Sequence, residues 1–164
     1  MSQFVPVQYI VGDATQPDAI GQVIVAHVCN DTGGWGAGFV LALSKRWKQP
    51  EQQYRQWRHD GAAGSAPFAL GEVQFVRVGE NITVANMIGQ HGIRRIAGQP
   101  PIRYAAIDQA LIRVAEEASR QNAGVHMPRI GCGLAGGSWD EIEPLIFSRL
   151  SSRGIPVTIY DLTA

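Results

Sequence analysis

Two glycine-dense stretches carry the residue types most able to do chemistry. Residues 27–38 read HVCNDTGGWGAG and residues 130–137 read IGCGLAGG. Each leaves an apolar run and enters a helical pattern. Glycine permits positive φ and lets the backbone approach a ligand closely. The helix after it presents unpaired N–H groups and the positive end of its dipole. Strand, glycine loop and helix N-terminus in that order make an anion site, most naturally for phosphate. Two such loops side by side fit a diphosphate. The first offers Asn30, Gly33, Gly34, Trp35, Gly36, Ala37 and Gly38; the second offers Ile130, Gly131, Cys132, Gly133, Leu134, Ala135 and Gly136. No Gly-x-x-x-x-Gly-Lys-Ser/Thr run is present, which excludes a P-loop nucleotidase. Gly34-x-Gly36-x-Gly38 lacks the full dinucleotide fingerprint and its downstream acid.

Around these loops stand the candidates for acid–base work. His27 ends an apolar run, and an imidazole with an ordinary pKa near ~6.5 serves as general acid or base. The same position also reads as a core histidine with one ring nitrogen satisfied. Asp13 and Ala14 follow the first apolar run; Asp13 either accepts from a ligand or caps a turn, and Asn30 has the same two readings. Cys29 and Cys132 read as small packing residues, because a nucleophilic thiol needs a nearby base and a lowered pKa. Asp140 falls in the first turn of the last helical segment, where a carboxylate favours the helix dipole. It is also the nearest acid to the second loop. His91, Arg94 and Arg95 share a polar stretch that reads as a lid, and paired arginines suit a terminal phosphate.

The elements that must position these groups alternate. Residues 5–11 read as a strand. Residues 22–27 are nearly all apolar, as in a strand buried on both faces. Phe39, Val40, Leu43 and Trp47 recur at helical spacing, and Pro50 opens a second helix reaching about residue 61. Residues 71–78 and 82–87 form two strands about a tight turn. Residues 88–101 are loop-like, 102–122 a long helix, and 124–128 a short strand. Ser138 with Glu141 has capping-box spacing for a helix ending near residue 154. Residues 157–160 are a last strand. The pattern implies an α/β fold: a mixed, largely parallel sheet of about six strands with helices on both faces. In such sheets ligands bind outside the carboxyl ends of the strands.

The 164 residues fit one domain spanning 1–164, 45% hydrophobic and 17% charged. Fourteen basic and fourteen acidic residues give no net charge, so nothing broad favours nucleic acid or an anionic membrane. Phosphate has to be held by local geometry. The basic set is twelve Arg and two Lys, Lys45 and Lys48, so a lysine nucleophile has few candidates. Two cysteines give neither a disulfide framework nor metal-ligand spacing and suit a reducing compartment. With no signal-like start and no run of ~20 apolar residues, the expectation is a cytoplasmic protein. No metal or organic cofactor is called for.

Gly12-Asp13, His27-x-Cys29-Asn30, Gly33-x-Trp35-Gly36-x-Gly38 and MPRIGCGL (127–134) before Trp139 together resemble the macrodomain family. The likeness runs from about residue 7 to residue 162. It is greatest to the branch holding terminal ADP-ribose protein glycohydrolase and the fungal ADP-ribose 1''-phosphate phosphatase. The resemblance implies that Asp13 accepts from the adenine amine and that Asn30 meets the distal ribose. It implies that Gly34 to Gly38 and Gly131 to Gly136 wrap the diphosphate and distal ribose, and that Tyr160 to Leu162 lie near the adenine. The glycohydrolase's lysine and loop aspartate fall near Gln90 and Ala135 here, so its lysine mechanism is not expected. His27 stands where the phosphatase branch has a histidine. Two functions fit that pocket. One is hydrolysis of an ADP-ribose derivative, the 1''-phosphate or an ester-linked ADP-ribosyl group, with His27, Asn30 and Asp140 as the chemical residues. The other is recognition of ADP-ribose without chemistry.

Overall fold

The computed structural model describes residues 5–17 and 19–162. In chain order its elements are β1 (Gln8–Val11), β2 (Val23–Asn30), α1 (Phe39–Arg46), α2 (Gln49–Asp60) and a short ribbon of β3 (Ala62–Ala63) and β4 (Ala66–Pro67). Then come β5 (Val73–Arg77), β6 (Ile82–Gln90), α3 (Tyr104–Gln121), β7 (Gly124–Pro128), α4 (Trp139–Arg149), a 3-10 turn (Ser151–Arg153) and β8 (Val157–Asp161). Six strands make one sheet in the order β1-β8-β7-β2-β6-β5. Every neighbouring pair runs parallel except β5 with β6. This is the mixed α/β sheet that the alternating pattern implies. No described helix is long and apolar enough to cross a membrane.

Period-two alternation along β2 sends its side chains to two cores. Ile24 and Ala26 join the cluster under α3 and α4. Val23, Val25 and Cys29 join the cluster under α1 and α2 with Trp35, Tyr54 and Trp57. A strand covered on both faces has no room for a polar side, which is why residues 22–27 are so apolar. α3 lays Ala106, Ile107, Ala110, Leu111, Val114, Ala115 and Ala118 on the sheet, a face repeating every three to four residues. It stops at Asn122, whose left-handed φ of 55° and cap N–H bonds to Ala118 and Ser119 end the helix.

One irregularity prepares the functional end. β2 and β6 keep register as far as Cys29 with Ile88, then shift so that Asn30 pairs with Gln90. Gly89 is the extra residue of this bulge. A bulge bends its strand and re-aims the residues beyond it, here Asn30 and Gln90. Gly89 is needed for space: a Cβ there would lie 2.8 Å from Ile107 Cγ1 and 3.2 Å from Val28 Cγ1. Its carbonyl accepts from Arg103 N–H at 2.9 Å, tying in the start of α3.

Three expectations are corrected. β6 runs to Gln90, so the strand takes the first residues of the supposed 88–101 loop. Ser138 is the N-cap of α4, but no side-chain cap bond forms; its backbone N–H donates to Tyr104 Oη at 3.0 Å instead. α4 ends at Arg149, and the 3-10 turn and a left-handed Gly154 come after it. Its interior Pro144 supplies no N–H to the helix ladder.

Gly89→Ala should lower the free energy of unfolding by about 1–3 kcal/mol in urea titrations, through overpacking against Ile107. Adding Ile107→Val should recover part of that loss. An unchanged midpoint in the single variant would mean that Ile107 swings clear.

Candidate functional site

The first loop is shaped by one side chain. Asn30 is buried at the end of β2. Its Oδ1 accepts from Thr32 N–H (3.0 Å), Thr32 Oγ1 (2.8 Å) and Gly34 N–H (3.0 Å), and its Nδ2 donates to Gly34 O (2.9 Å). Tyr54, fully buried on α2, donates its hydroxyl to Asn30 O at 2.6 Å. Gly33, at φ 91°, backs onto the Arg58 stem, which a Cβ would meet at 2.9 Å. Beyond the turn, Trp35 is buried against His27 and Tyr54 and donates Nε1–H to Ser44 Oγ at 2.8 Å. Gly38 caps α1 at φ 83° with no side-chain cap bond. Among the described residues, the N–H groups of Gly36, Ala37 and Gly38 have no partner.

The second loop closes on its own backbone. Gly137 N–H donates to Gly131 O (2.7 Å), Gly136 N–H to Gly133 O (3.0 Å), and Ala135 O accepts from Ile102 N–H (3.0 Å). Gly131 takes φ 73° where a Cβ would stand 2.6 Å from Ile102 Cδ1; a Cβ on Gly137 would stand 2.5 Å from Gly131 O. Only glycine fits at either place. The N–H groups of Gly133, Leu134 and Ala135 find no partner among the described residues. Consecutive amides of this kind form an anion-binding concavity.

The two loops face each other across the carboxyl ends of β2, β6 and β7. The cleft comprises two cavities of 220 and 250 Å³ that share Val28, Ala37, Val40, Gln90 and Leu134. One end is completed by His27, Gly38, Phe39, Pro128, Arg129, Ile130, Gly131, Gly133 and Ala135. The other is completed by Cys29, Asn30, Gly34, Trp35, Gly36 and Ile93. Arg129 is the one formally charged side chain among these. It is held by Asp161 in a two-pronged pair (2.7 and 3.1 Å) and lies 5.1 Å from the Tyr9 and Trp139 rings. Trp139 Nε1–H donates to Tyr9 Oη, which also bonds Glu143.

His27 is 2% exposed. Its Nε2 lies 2.5 Å from Asn86 Oδ1, and Asn86 Nδ2 donates to Pro50 O and Gln74 Oε1, which fixes Asn86 Oδ1 as the acceptor. Burial drives the imidazole pKa down to about 4, against the opposing pull of the Asn86 bond. The ring is therefore neutral at pH 7. Burial likewise raises the Cys29 and Cys132 thiols, Cys132 despite the Arg129 charge. Among the described residues no group of three His, Cys, Asp or Glu side chains stands close enough to hold a metal ion.

The remaining residues singled out from the sequence lie outside the cleft lining. Gly33 backs onto α2, Cys132 Sγ reaches Ile130 O, and Gly136 packs on Pro100. Asp13 borders a separate cavity of 480 Å³ with Thr15, Gln16, Lys45 and Arg46; Ala14 beside it is buried. Burial pushes the Asp13 carboxyl up, but hydrogen bonds from Thr15 and Gln16 and the Arg46 charge outweigh it and hold the pKa below its ordinary value. Asp140 is exposed in the first turn of α4, and Leu162 is 81% exposed. Sequence reasoning missed Phe39, Pro128, Arg129 and Ile93 as cleft walls. Pro128 and Arg129, both inside the MPRIGCGL run, carried a signal. A larger cavity of 560 Å³ lies against β5 and α3. Four of its five charged side chains are paired, Arg113 with Glu72 and Arg120 with Glu117, and no glycine loop opens into it.

No protein-family model matches the chain. A macrodomain protein from Streptomyces coelicolor is 55% identical, with a TM-score of 0.84 over 95% of this chain and 99% of that one. The chain belongs to the macrodomain family. A Bacteroides thetaiotaomicron protein of unknown function is 54% identical, with a TM-score of 0.92 over 96% of this chain and 98% of that one. Thermosipho africanus DarTG, solved in complex with ADP-ribose, shares the fold at 16% identity and a TM-score of 0.67, over 84% of this chain and 37% of that one. Among curated proteins, a chromodomain-helicase-DNA-binding protein 1-like of Danio rerio is 31% identical over 97% of this chain. This macrodomain spans only 16–17% of the length of the helicase-like relatives it matches. The ADP-ribose 1''-phosphate phosphatase of Lodderomyces elongisporus is 24% identical over 94% of this chain and 99% of that protein.

The neutral His27 makes the stability of this macrodomain depend on pH. The unfolded chain takes up a proton below about pH 6.5, which the folded chain refuses until about pH 4. The stabilising contribution is complete above pH 6.5 and is lost as pH falls toward 4. Urea titrations should show roughly 2 kcal/mol less stability at pH 5 than at pH 7.5 from this group, and a smaller drop in His27→Gln. Equal drops in the two proteins would contradict a neutral buried ring.

Proposed function

We propose that the macrodomain binds ADP-ribose, free or attached to a substrate, in the cleft between its two glycine loops. One observation carries the reading. Unpartnered backbone N–H groups from both loops converge on a cleft with a single charged wall residue, already paired. Backbone donors and a helix N-terminus hold phosphate without lysine. The diphosphate takes the amides of Gly36, Ala37 and Gly38 and of Gly133, Leu134 and Ala135. Asp13 and Ala14 take the adenine edge, with Leu162 near it, and Asn30 takes the distal ribose. The phosphatase relative and the ADP-ribose complex of DarTG support the same ligand.

We further propose hydrolysis of an ADP-ribosyl derivative, the 1''-phosphate or an ester-linked group. Asn30 positions the attacking water with the part of its amide that loop 1 leaves open. His27 serves through its neutral ring, a wall beneath the loop. Asp140, in the first turn of α4, is the first acid after the second loop along the chain. Recognition without chemistry is the second reading. Gln90 and Ala135 favour it, because neither an amide nor a methyl group replaces a lysine and an acid.

Calorimetric titration should show micromolar binding of ADP-ribose and at least tenfold weaker binding of AMP and ribose 5-phosphate. Asp13→Ala should cost about tenfold or more, the scale of a lost charge-assisted hydrogen bond. Equal affinity for AMP would reduce the site to a nucleotide pocket. No binding of any of the three would remove the reading.

A further inference from the structure

Beyond the bulge, β2 and β6 end in a second pair of polar residues. Asp31 comes after Asn30 and His91 after Gln90. Asp31 N–H donates to Gln90 O at 3.1 Å, so the two strand ends stay joined. His91 Nδ1 lies 2.7 Å from Asp31 Oδ2. Gly92 N–H donates to the other oxygen, Asp31 Oδ1, at 2.8 Å. His91 N–H donates to Pro101 O at 2.8 Å, and Gln90 Nε2 donates to Gly92 O at 3.0 Å. Both members of the pair are thus fixed by backbone.

A carboxylate accepts, so Nδ1–H donates to Asp31 and Nε2 is the nitrogen left for a water. Asp31 is 17% exposed and His91 53%. Nε2 has no partner among the described residues. An imidazole oriented by a carboxylate on one nitrogen and open on the other is the arrangement of a general base. Gln90, the residue before His91, Ile93, two residues after it, and Asn30, the residue before Asp31, line the cleft. His27 differs on each point: it is buried, its Nε2 is committed to Asn86, and its pKa is pushed down to about 4.

We propose that His91 is the general base of the macrodomain and Asp31 its positioning residue, acting at the Asn30 end of the cleft. The proposal rests on the ADP-ribose reading and deepens it. The substrate class is ADP-ribose joined at C1'' of the distal ribose to a leaving oxygen. Water forms a bond to C1'' as the bond from C1'' to that oxygen breaks, its electron pair staying with the oxygen. The proton lost by the water passes to His91 Nε2 and from there to the leaving oxygen or to solvent. Water and substrate become ADP-ribose and the free hydroxyl or acid. Asp31 from the β2 end is the charged group against the ring; Arg94 and Arg95 come later in the same loop, and Arg95 donates to Gly98 O at 2.5 Å. From α2, Arg55 and Arg58 reach the carbonyls of Gly33 and Thr32.

The test pairs calorimetry with turnover of two probes, ADP-ribose 1''-phosphate and a peptide bearing ADP-ribose on a glutamate ester. His91→Gln should bind ADP-ribose as the unaltered protein does, within about twofold. Its kcat on the cleaved probe should fall by about 100-fold or more, the scale of lost general-base catalysis. Asp31→Asn should lose about tenfold or more, and added imidazole should restore part of the turnover of His91→Ala. A purely structural His91 would not respond to imidazole. Turnover of His91→Gln within about threefold of the unaltered protein would overturn the proposal. So would loss of ADP-ribose binding in that variant, or binding by the unaltered protein with neither probe cleaved; in that last case the binding reading survives and the chemistry does not. Absence of ADP-ribose binding in the unaltered protein overturns both.

Discussion

The side-chain oxygen of Asn30 gathers two N–H groups and a hydroxyl of its own loop, and the rest of the site hangs from that knot. A buried amide carbonyl left unsatisfied costs about 1–3 kcal/mol, so the loop has to fold back on Asn30. Folding back uses the N–H groups of Thr32 and Gly34 and leaves those of Gly36, Ala37 and Gly38 facing outward. Tyr54 holds the same residue from below through Asn30 O. The proposed anion site is therefore what remains of the loop's hydrogen-bonding capacity after its own structure is satisfied.

The opposing loop reaches a similar end by steric means. Gly131 and Gly137 stand where a Cβ would strike Ile102 or backbone. The turn closes on the Gly131 carbonyl, and three amides at its crest have no partner among the described residues. Neither loop brings a lysine. Arg129, the one charged side chain among the described residues lining the cleft, already belongs to Asp161 and two aromatic rings. Binding by fixed dipoles loses little reorganisation energy, and it agrees with a chain of zero net charge.

Much of this was legible before the structure. The inner strands β2 and β6 are read from apolar runs because burial on both faces leaves no alternative. The glycine loops are read because few residues but glycine survive positive φ. What escaped reading depends on contacts far apart in sequence. The pairing of Asp31 with His91 joins residues 60 positions apart; His91 was visible only as part of a polar stretch. His27 was visible as an imidazole, but Asn86, which takes its proton donor, belongs to another strand. The capping box at Ser138 failed for a related reason: Tyr104 of α3 meets the Ser138 N–H first. Asp13 illustrates a limit of a different kind. Its carboxylate does cap a turn, through Thr15, and a turn cap and a ligand acceptor use the same residue type.

The central claim is that ligand phosphate is held by the backbone amides of two loops. Amide NMR of the isotope-labelled macrodomain during titration with ADP-ribose tests it most directly. The account predicts large shifts confined at first to the amides of Gly36, Ala37, Gly38, Gly133, Leu134 and Ala135, and absent with ribose 5-phosphate at equal concentration. Shifts centred instead on Glu72, Phe75, Arg113 and Glu117, which line the larger cavity beside β5, would contradict it.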